Sequence, residues 1–171
     1  MSPSKLIMAV LYLASSITAV DIRLYNENRC NGIFGQCVAI DPGACCHLGD
    51  RWLGRSTRAI PQGLGIQAFS QQGGDLCGAL IGGGFECWGV SNDIESISGA
   101  KWSRNRRAVK RNVVQECTGN VEMSHVGMTI EGKDYLLGVG RYEYQVFQNL
   151  TTEEEQRIYI KTWADTIKAA Q

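Results

Sequence analysis

The chain has 171 residues, 44% of them hydrophobic, with 17 basic and 17 acidic residues and a formal net charge of zero. That apolar content supports a buried core. The charge balance argues against a general nucleic-acid binder or a polybasic membrane binder, both of which need clustered positive charge. Twenty glycines against three prolines, together with seven cysteines, point to a mainly β body with many tight turns and disulfide staples.

Residues 1–19 read as a secretory signal peptide. Met1-Ser-Pro-Ser-Lys5 is a lysine-bearing start, Leu6 to Ala14 is a short apolar run, and Ser15 to Ala19 is a small-residue exit. The run is shorter than the roughly 20 apolar residues that span a bilayer. Cleavage is expected after Ala19. No later segment is long and apolar enough to cross a membrane, so the mature chain is expected to be secreted and extracellular, not an integral membrane protein.

The cysteine-rich half carries a repeat. Ile22-Arg-Leu-Tyr25 is followed by a polar loop, Cys30-Asn-Gly32, and a run from Ile33 to Cys37. Ile66-Gln-Ala-Phe69 is followed by a polar loop, Cys77-Gly78, and a run from Ala79 to Cys87. Each copy reads as a strand ending in an aromatic, a turn, and a second strand ending in Cys. Alternation puts Ile22 and Leu24 on one face and Arg23 and Tyr25 on the other, with Ile66 and Ala68 repeating the inward face. Cys30, Cys37, Cys45, Cys46, Cys77 and Cys87 are the disulfide candidates. Cys45 and Cys46 are adjacent and must reach different partners, because a bridge needs close Cβ atoms. The connectivity stays open. Cys45-Cys46-His47 offers zinc-ligand types, but the spacing lacks a Cys-x₂-Cys pair and its partner, and an oxidising compartment favours bridges.

These two copies resemble the βγ-crystallin fold, in which two Greek-key motifs of about this length pack into one sandwich. The family's frame has a strand ending in an aromatic, a short hairpin loop, and then an aromatic, one residue and Gly. Tyr25 and Gly32 fit it, with Cys30 at the second aromatic position. In the second copy Phe69 fits, the loop is longer, and Gly78 directly follows Cys77. The chain looks more like the small cysteine-rich crystallin-like proteins secreted by fungi, in which disulfides replace aromatic packing. The resemblance covers roughly Asp21 to Trp102. It implies calcium as a candidate ligand, because microbial members bind it through two Asn/Asp, two variable positions, Ser/Thr and Ser. Asn92, Asp93 and Ser96 match that pattern, while Ile97 departs from it. The corresponding first-copy loop supplies only Asp50 and adds two arginines. A polar turn capped by Asn92 or Asp93 explains the same residues without a metal.

Arg104-Asn-Arg-Arg-Ala-Val-Lys-Arg111 follows. Its pairs, Arg106-Arg107 and Lys110-Arg111, resemble sites of a dibasic-specific processing protease. The expected cut is after Arg107 or Arg111, in an exposed loop. The same charges would also suit an anionic surface or a solvated loop. The expected organisation is therefore signal peptide 1–19, cysteine-rich βγ-crystallin-like domain 20–103, basic linker 104–111, and a C-terminal segment 112–171. Cys117 falls in the last part, as an unpaired thiol or a tether.

In that segment, Met128 to Leu137 predicts a hairpin about Gly132-Lys133. Arg141 to Phe147 alternates as a strand would, with Tyr142, Tyr144 and Val146 on one face. Asn149-Leu-Thr151 is a glycosylation sequon. Thr152 with Glu155 forms a capping-box signature, and Ile160, Trp163, Ile167 and Ala170 recur at helical spacing. The fold class expected is a disulfide-stapled Greek-key sandwich followed by a β-hairpin and a C-terminal α-helix.

Only two histidines exist, His47 and His125, and no nucleophile elbow, zinc-protease helix or phosphate loop is present. No catalytic residue is assigned and an enzyme is not expected. The resemblance implies an extracellular effector, toxin-like or antimicrobial protein that binds a partner protein, glycan or membrane component. The alternatives are a calcium-stabilised structural protein and a small secreted hydrolase.

Overall fold

The computed structural model describes residues 20–49, 53–91, 95–104, 116–140 and 142–167. The signal segment and the pairs Arg106-Arg107 and Lys110-Arg111 lie outside them, as do Asp50, Asn92 and Asp93.

The first repeat copy supplies β1 (Val20–Tyr25), β2 (Ile33–Ile40), β3 (Cys45–His47) and β4 (Ser56–Ile60). The second supplies β5 (Gly65–Gln72), β6 (Asp75–Gly84), β7 (Trp88–Gly89) and β8 (Gly99–Ser103). β9 (Asn120–Glu122), β10 (His125–Ile130), β11 (Lys133–Gly138), α1 (Tyr142–Gln148), α2 (Glu153–Trp163) and β12 (Asp165–Ile167) complete the chain. One sheet has the order β12-β11-β10-β2-β1-β4-β7 and the other β6-β5-β8-β3-β9. Within each copy the first strand lies between the second and the fourth, and the third strand crosses to the other sheet. The β5–β6 hairpin turns at Gly73-Gly74, both at positive φ (59° and 87°), where L side chains are disfavoured.

The inward faces meet as expected. Ile22 and Leu24 pack with Ile66, Ala68, Ile97, Ala100 and Trp102, and the Trp102 indole N–H donates to the Ile40 carbonyl at 2.7 Å. The opposite face of β1 is also buried. Arg23 stacks over the Phe34 ring (4.3 Å) and bonds Asp134 and Gln36, while Tyr25 packs with Cys30, Phe34 and Leu136.

Strands from both sides of the basic stretch share both sheets. β9 runs parallel to β3, with Cys45 opposite Asn120, and β10 pairs antiparallel with β2, with Val126 opposite Gly35. The predicted hairpin forms, with its turn at Glu131-Gly132, one residue earlier than expected, because Lys133 already pairs with Ile130. Thr152 caps α2: its Oγ1 accepts from the Glu155 N–H (3.3 Å), and the Glu155 carboxylate accepts from the Thr152 N–H (3.1 Å).

Two local readings are corrected. Tyr142–Gln148 is helical rather than a strand. Tyr144 and Phe147, three apart, are the buried pair, and the Gln148 amide donates to the Tyr144 hydroxyl (2.9 Å). The aromatic alternation concealed that spacing. The helical stripe also stops early: Ile160 is buried, Trp163 is exposed, and residues 165–167 turn into β12 along β11. There the backbone satisfies an edge strand that a continued helix would leave open.

Candidate functional site

Cys45 and Cys46 occupy successive positions of β3, so their side chains leave on opposite faces. Cys46 points into the sandwich and bridges Cys37 of β2. Cys45 points to the outer face of its sheet and bridges Cys77 at the start of β6. The third bridge, Cys30–Cys87, ties the first copy's turn to the segment between β6 and β7. All six early cysteines are thus paired, and Cys117 is a free thiol.

That thiol does not stand apart in space. The sulfurs of Cys45, Cys77 and Cys117 all lie within 4.8 Å of one another. The chain around Cys117 is held against β3 by its backbone: Cys45 N–H donates to the Gly119 carbonyl (2.8 Å) and Thr118 N–H donates to the Gly43 carbonyl (3.1 Å). Across the sulfurs, Asp75 accepts from the Cys77 N–H (2.9 Å). Gly99 of β8 leaves them room, since a Cβ there would strike Cys77 Sγ and lie 3.0 Å from Cys45 Sγ.

A cavity of about 380 Å³ opens onto this cluster, lined by Phe69, Asp75, Cys77, Glu116, Cys117 and Asn120 among others. Cys45 is fully buried beneath it. Lys101 of β8 is only 1% exposed and holds its ammonium 5.2 Å from the centre of the Phe69 ring. Burial pushes the Lys101 pKa down, and negative charge on Cys117 pulls it back up. Burial pushes the Cys117 thiol up; Lys101 counters and Asp75 reinforces that shift. The site therefore stores a thiol, a disulfide and a buried cation in one place.

The sequence marked the three cysteines, and Phe69 only as the strand-end aromatic of the second copy, but not Lys101, Asp75 or Gly99. Lys101 lies in a strand where a lysine ordinarily faces water, and nothing local marks it as buried.

The other expected site residues are dispersed. Ser96 is half-buried beside the Gly54–Ile97 bridge, and the Arg55 guanidinium donates to the neighbouring Glu95 carbonyl (3.3 Å). Asn149 is exposed at the end of α1, with its amide donating to the Gln145 carbonyl (2.8 Å). His47 Nδ1 accepts from the Gly49 N–H (3.3 Å), whereas His125 Nδ1 lies 2.9 Å from Ser124 Oγ on the other sheet.

The chain belongs to the ARB_05566_N family, described as an N-terminal domain, whose model matches residues 21–124. The match runs from β1 through β9, crosses the basic stretch, and contains all seven cysteines. No curated protein and no solved structure matches the chain.

Proposed function

We propose that this chain is a secreted, non-enzymatic βγ-crystallin-like module of the kind fungi release, acting outside the producing cell as an effector, toxin-like or antimicrobial protein by binding a partner. The strand order carries this reading. In a Greek key the fourth strand returns to lie beside the first. β4 lies beside β1 and β8 beside β5, and the two sets pack as one sandwich. Cys30, at the position where the crystallin frame has its second aromatic, is buried with Tyr25 and bridged to Cys87, which suits disulfides in place of aromatic packing.

Three disulfides suit an oxidising compartment, and among the described residues no helix is long and apolar enough to cross a membrane. The cavity beside the sulfurs presents Asp75, Glu116 and Asn120 around a Phe69 floor. Carboxylates and an amide suit a ligand rich in hydrogen-bond donors, which selects a glycan or a basic peptide segment from the partner classes.

Two measurements test this. The intact mass of the native product, before and after reduction, is expected to show a chain starting after Ala19 with three bridges. Retention of the uncleaved chain inside the cell overturns secretion. Binding to a glycan array and a basic-peptide array is expected to fall in Asp75→Asn/Glu116→Gln. Unchanged binding in that variant overturns the cavity as the binding surface.

A further inference from the structure

We propose that Cys117 is the resident nucleophile of an internal thiol–disulfide exchange, which converts the Cys45–Cys77 bridge into Cys45–Cys117 and releases Cys77 as a thiol facing the cavity. The inference goes beyond partner binding and does not depend on it. The three sulfurs already lie within 4.8 Å of one another, so the exchange needs no encounter between separate molecules. Backbone bonds at Thr118 and Gly119, directly after Cys117, and the β9 pairing that follows fix its segment along β3, the strand that carries Cys45. The new bridge would join two chain segments that the sheet already places together.

The step balances without another reagent. Cys117 loses its proton and its thiolate bonds to Cys45 Sγ. The Cys45–Cys77 bond breaks, and its electron pair leaves on Cys77 Sγ, which takes a proton from solvent in the cavity. One thiol and one disulfide are present before and after.

Solvation sets the direction. The departing sulfur leaves as a thiolate, and a thiolate expelled into a dry interior is costly. Cys77 lines the open cavity, whereas Cys45 is fully buried. Attack at Cys45, with Cys77 departing, keeps the charge near water. Lys101 supports the attacking thiolate from β8. Asp75, at the start of β6, opposes it, and Glu116 on the thiol's own segment adds a second carboxylate to the cavity wall. With burial and Asp75 holding Cys117 protonated, the exchange is slow near neutrality and accelerates as pH rises.

The product bridge also spans residues 104–111. Every bridge seen here closes on the N-terminal side of that stretch. After exchange, a cut at the dibasic pairs would leave the two pieces covalently joined.

The test uses the full chain, held anaerobically at about pH 6.5 and about pH 8.5, quenched in acid, alkylated and mapped without reduction. Label is expected to move from Cys117 to Cys77 as a Cys45–Cys117 linked peptide appears. The rate should rise about tenfold per pH unit below the thiol's pKa, without dependence on protein concentration. Lys101→Met should slow it severalfold while all three bridges remain. Refolded and oxidised Cys77→Ser should contain a Cys45–Cys117 bridge. Label confined to Cys117, label on Cys45, a concentration-dependent rate, or two free thiols in Cys77→Ser would each overturn the proposal.

Discussion

Each outer face of the sandwich buries a cation against a phenylalanine, but with different company. On the β1 sheet, Arg23 lies 4.3 Å from the Phe34 ring and pairs with the Asp134 carboxylate. On the β5 sheet, Lys101 lies 5.2 Å from the Phe69 ring, with the Cys117 sulfur coupled to its charge. A carboxylate is ionised throughout the physiological range, so the first face is electrostatically fixed. A raised thiol is mostly neutral there and ionises only as pH climbs above it, so the second face gains its negative charge on the alkaline side. One face is built to stay put, and the other can rearrange its bonds.

Removing the cation from the fixed face should have the largest effect. Arg23→Met takes a guanidinium from Asp134 and Gln36 and leaves a partly buried carboxylate without its main partner. Breaking a buried pair from one side costs about 3–5 kcal/mol. Asp134 keeps some solvent contact and the Thr129 hydroxyl (2.7 Å), so a loss near the lower figure is expected. Urea unfolding should show it as a lower midpoint, and an unchanged midpoint would mean that the pair contributes little.

The same two faces show what a sequence can and cannot reveal. The inward residues Ile22, Leu24, Ile66 and Ala68 were readable from alternation, and the Thr152 cap and the Gly132 turn from local chemistry. Adjacent Cys45 and Cys46 had to diverge, and they do. The outer faces were not readable, because their partners come from far along the chain. Asp134 reaches Arg23 from β11, and Cys117 reaches Cys45 through the parallel β3–β9 pairing. No spacing rule encodes a contact made by a distant strand. Tyr142–Gln148 failed for another reason: an aromatic alternation over so few residues fits both periods, and burial of Tyr144 and Phe147 decided for the helix.

Crowding the rearrangeable face comes next. Gly99→Ala places a methyl against the sulfurs of Cys77 and Cys45. Overpacking of this kind costs about 1–3 kcal/mol. Here it should also shift the outer bridge, so thiol counting after native oxidation is expected to find more than one reactive cysteine. The Cys37–Cys46 bridge, on the inner side of β3, should survive in the same protein. Loss of both bridges together would show that the two sides of β3 are not independent.

A smaller effect separates the faces by pH. Burial pushes the Asp134 carboxyl up, but hydrogen bonds from Arg23 and Thr129 and the charges of Arg23 and Arg58 outweigh it and hold it low. A depressed carboxylate stabilises above its unfolded pKa, and that contribution is lost as pH falls through the folded value. Cys117 behaves oppositely. Its raised pKa gives a contribution complete below the unfolded thiol value near 9.0 and lost as pH rises through the folded value. Melting curves should therefore show an acid slope that Asp134→Asn flattens and an alkaline slope that Cys117→Ser flattens. An acid slope that moves with Cys117→Ser would contradict the assignment.

Calcium should have the smallest effect, and it bears on whether a metal braces the rearrangeable face. Ser96 leads into Ser98, whose hydroxyl donates to the Leu76 and Phe69 carbonyls beneath the sulfur cluster, so a cation bound at the 92–97 loop would stiffen that side. Against this, Arg55 already donates to the Glu95 carbonyl in the same loop. A guanidinium there repels a divalent ion and occupies a carbonyl that could serve as a ligand. Calcium at about 1 mM, the range of weak extracellular sites, is expected to leave both the melting temperature and the exchange rate unchanged. Arg55→Gln removes the competing charge and is the variant in which a shift should first emerge. A shift already present in the unsubstituted chain would assign the loop to calcium and make the mobile bridge metal-controlled.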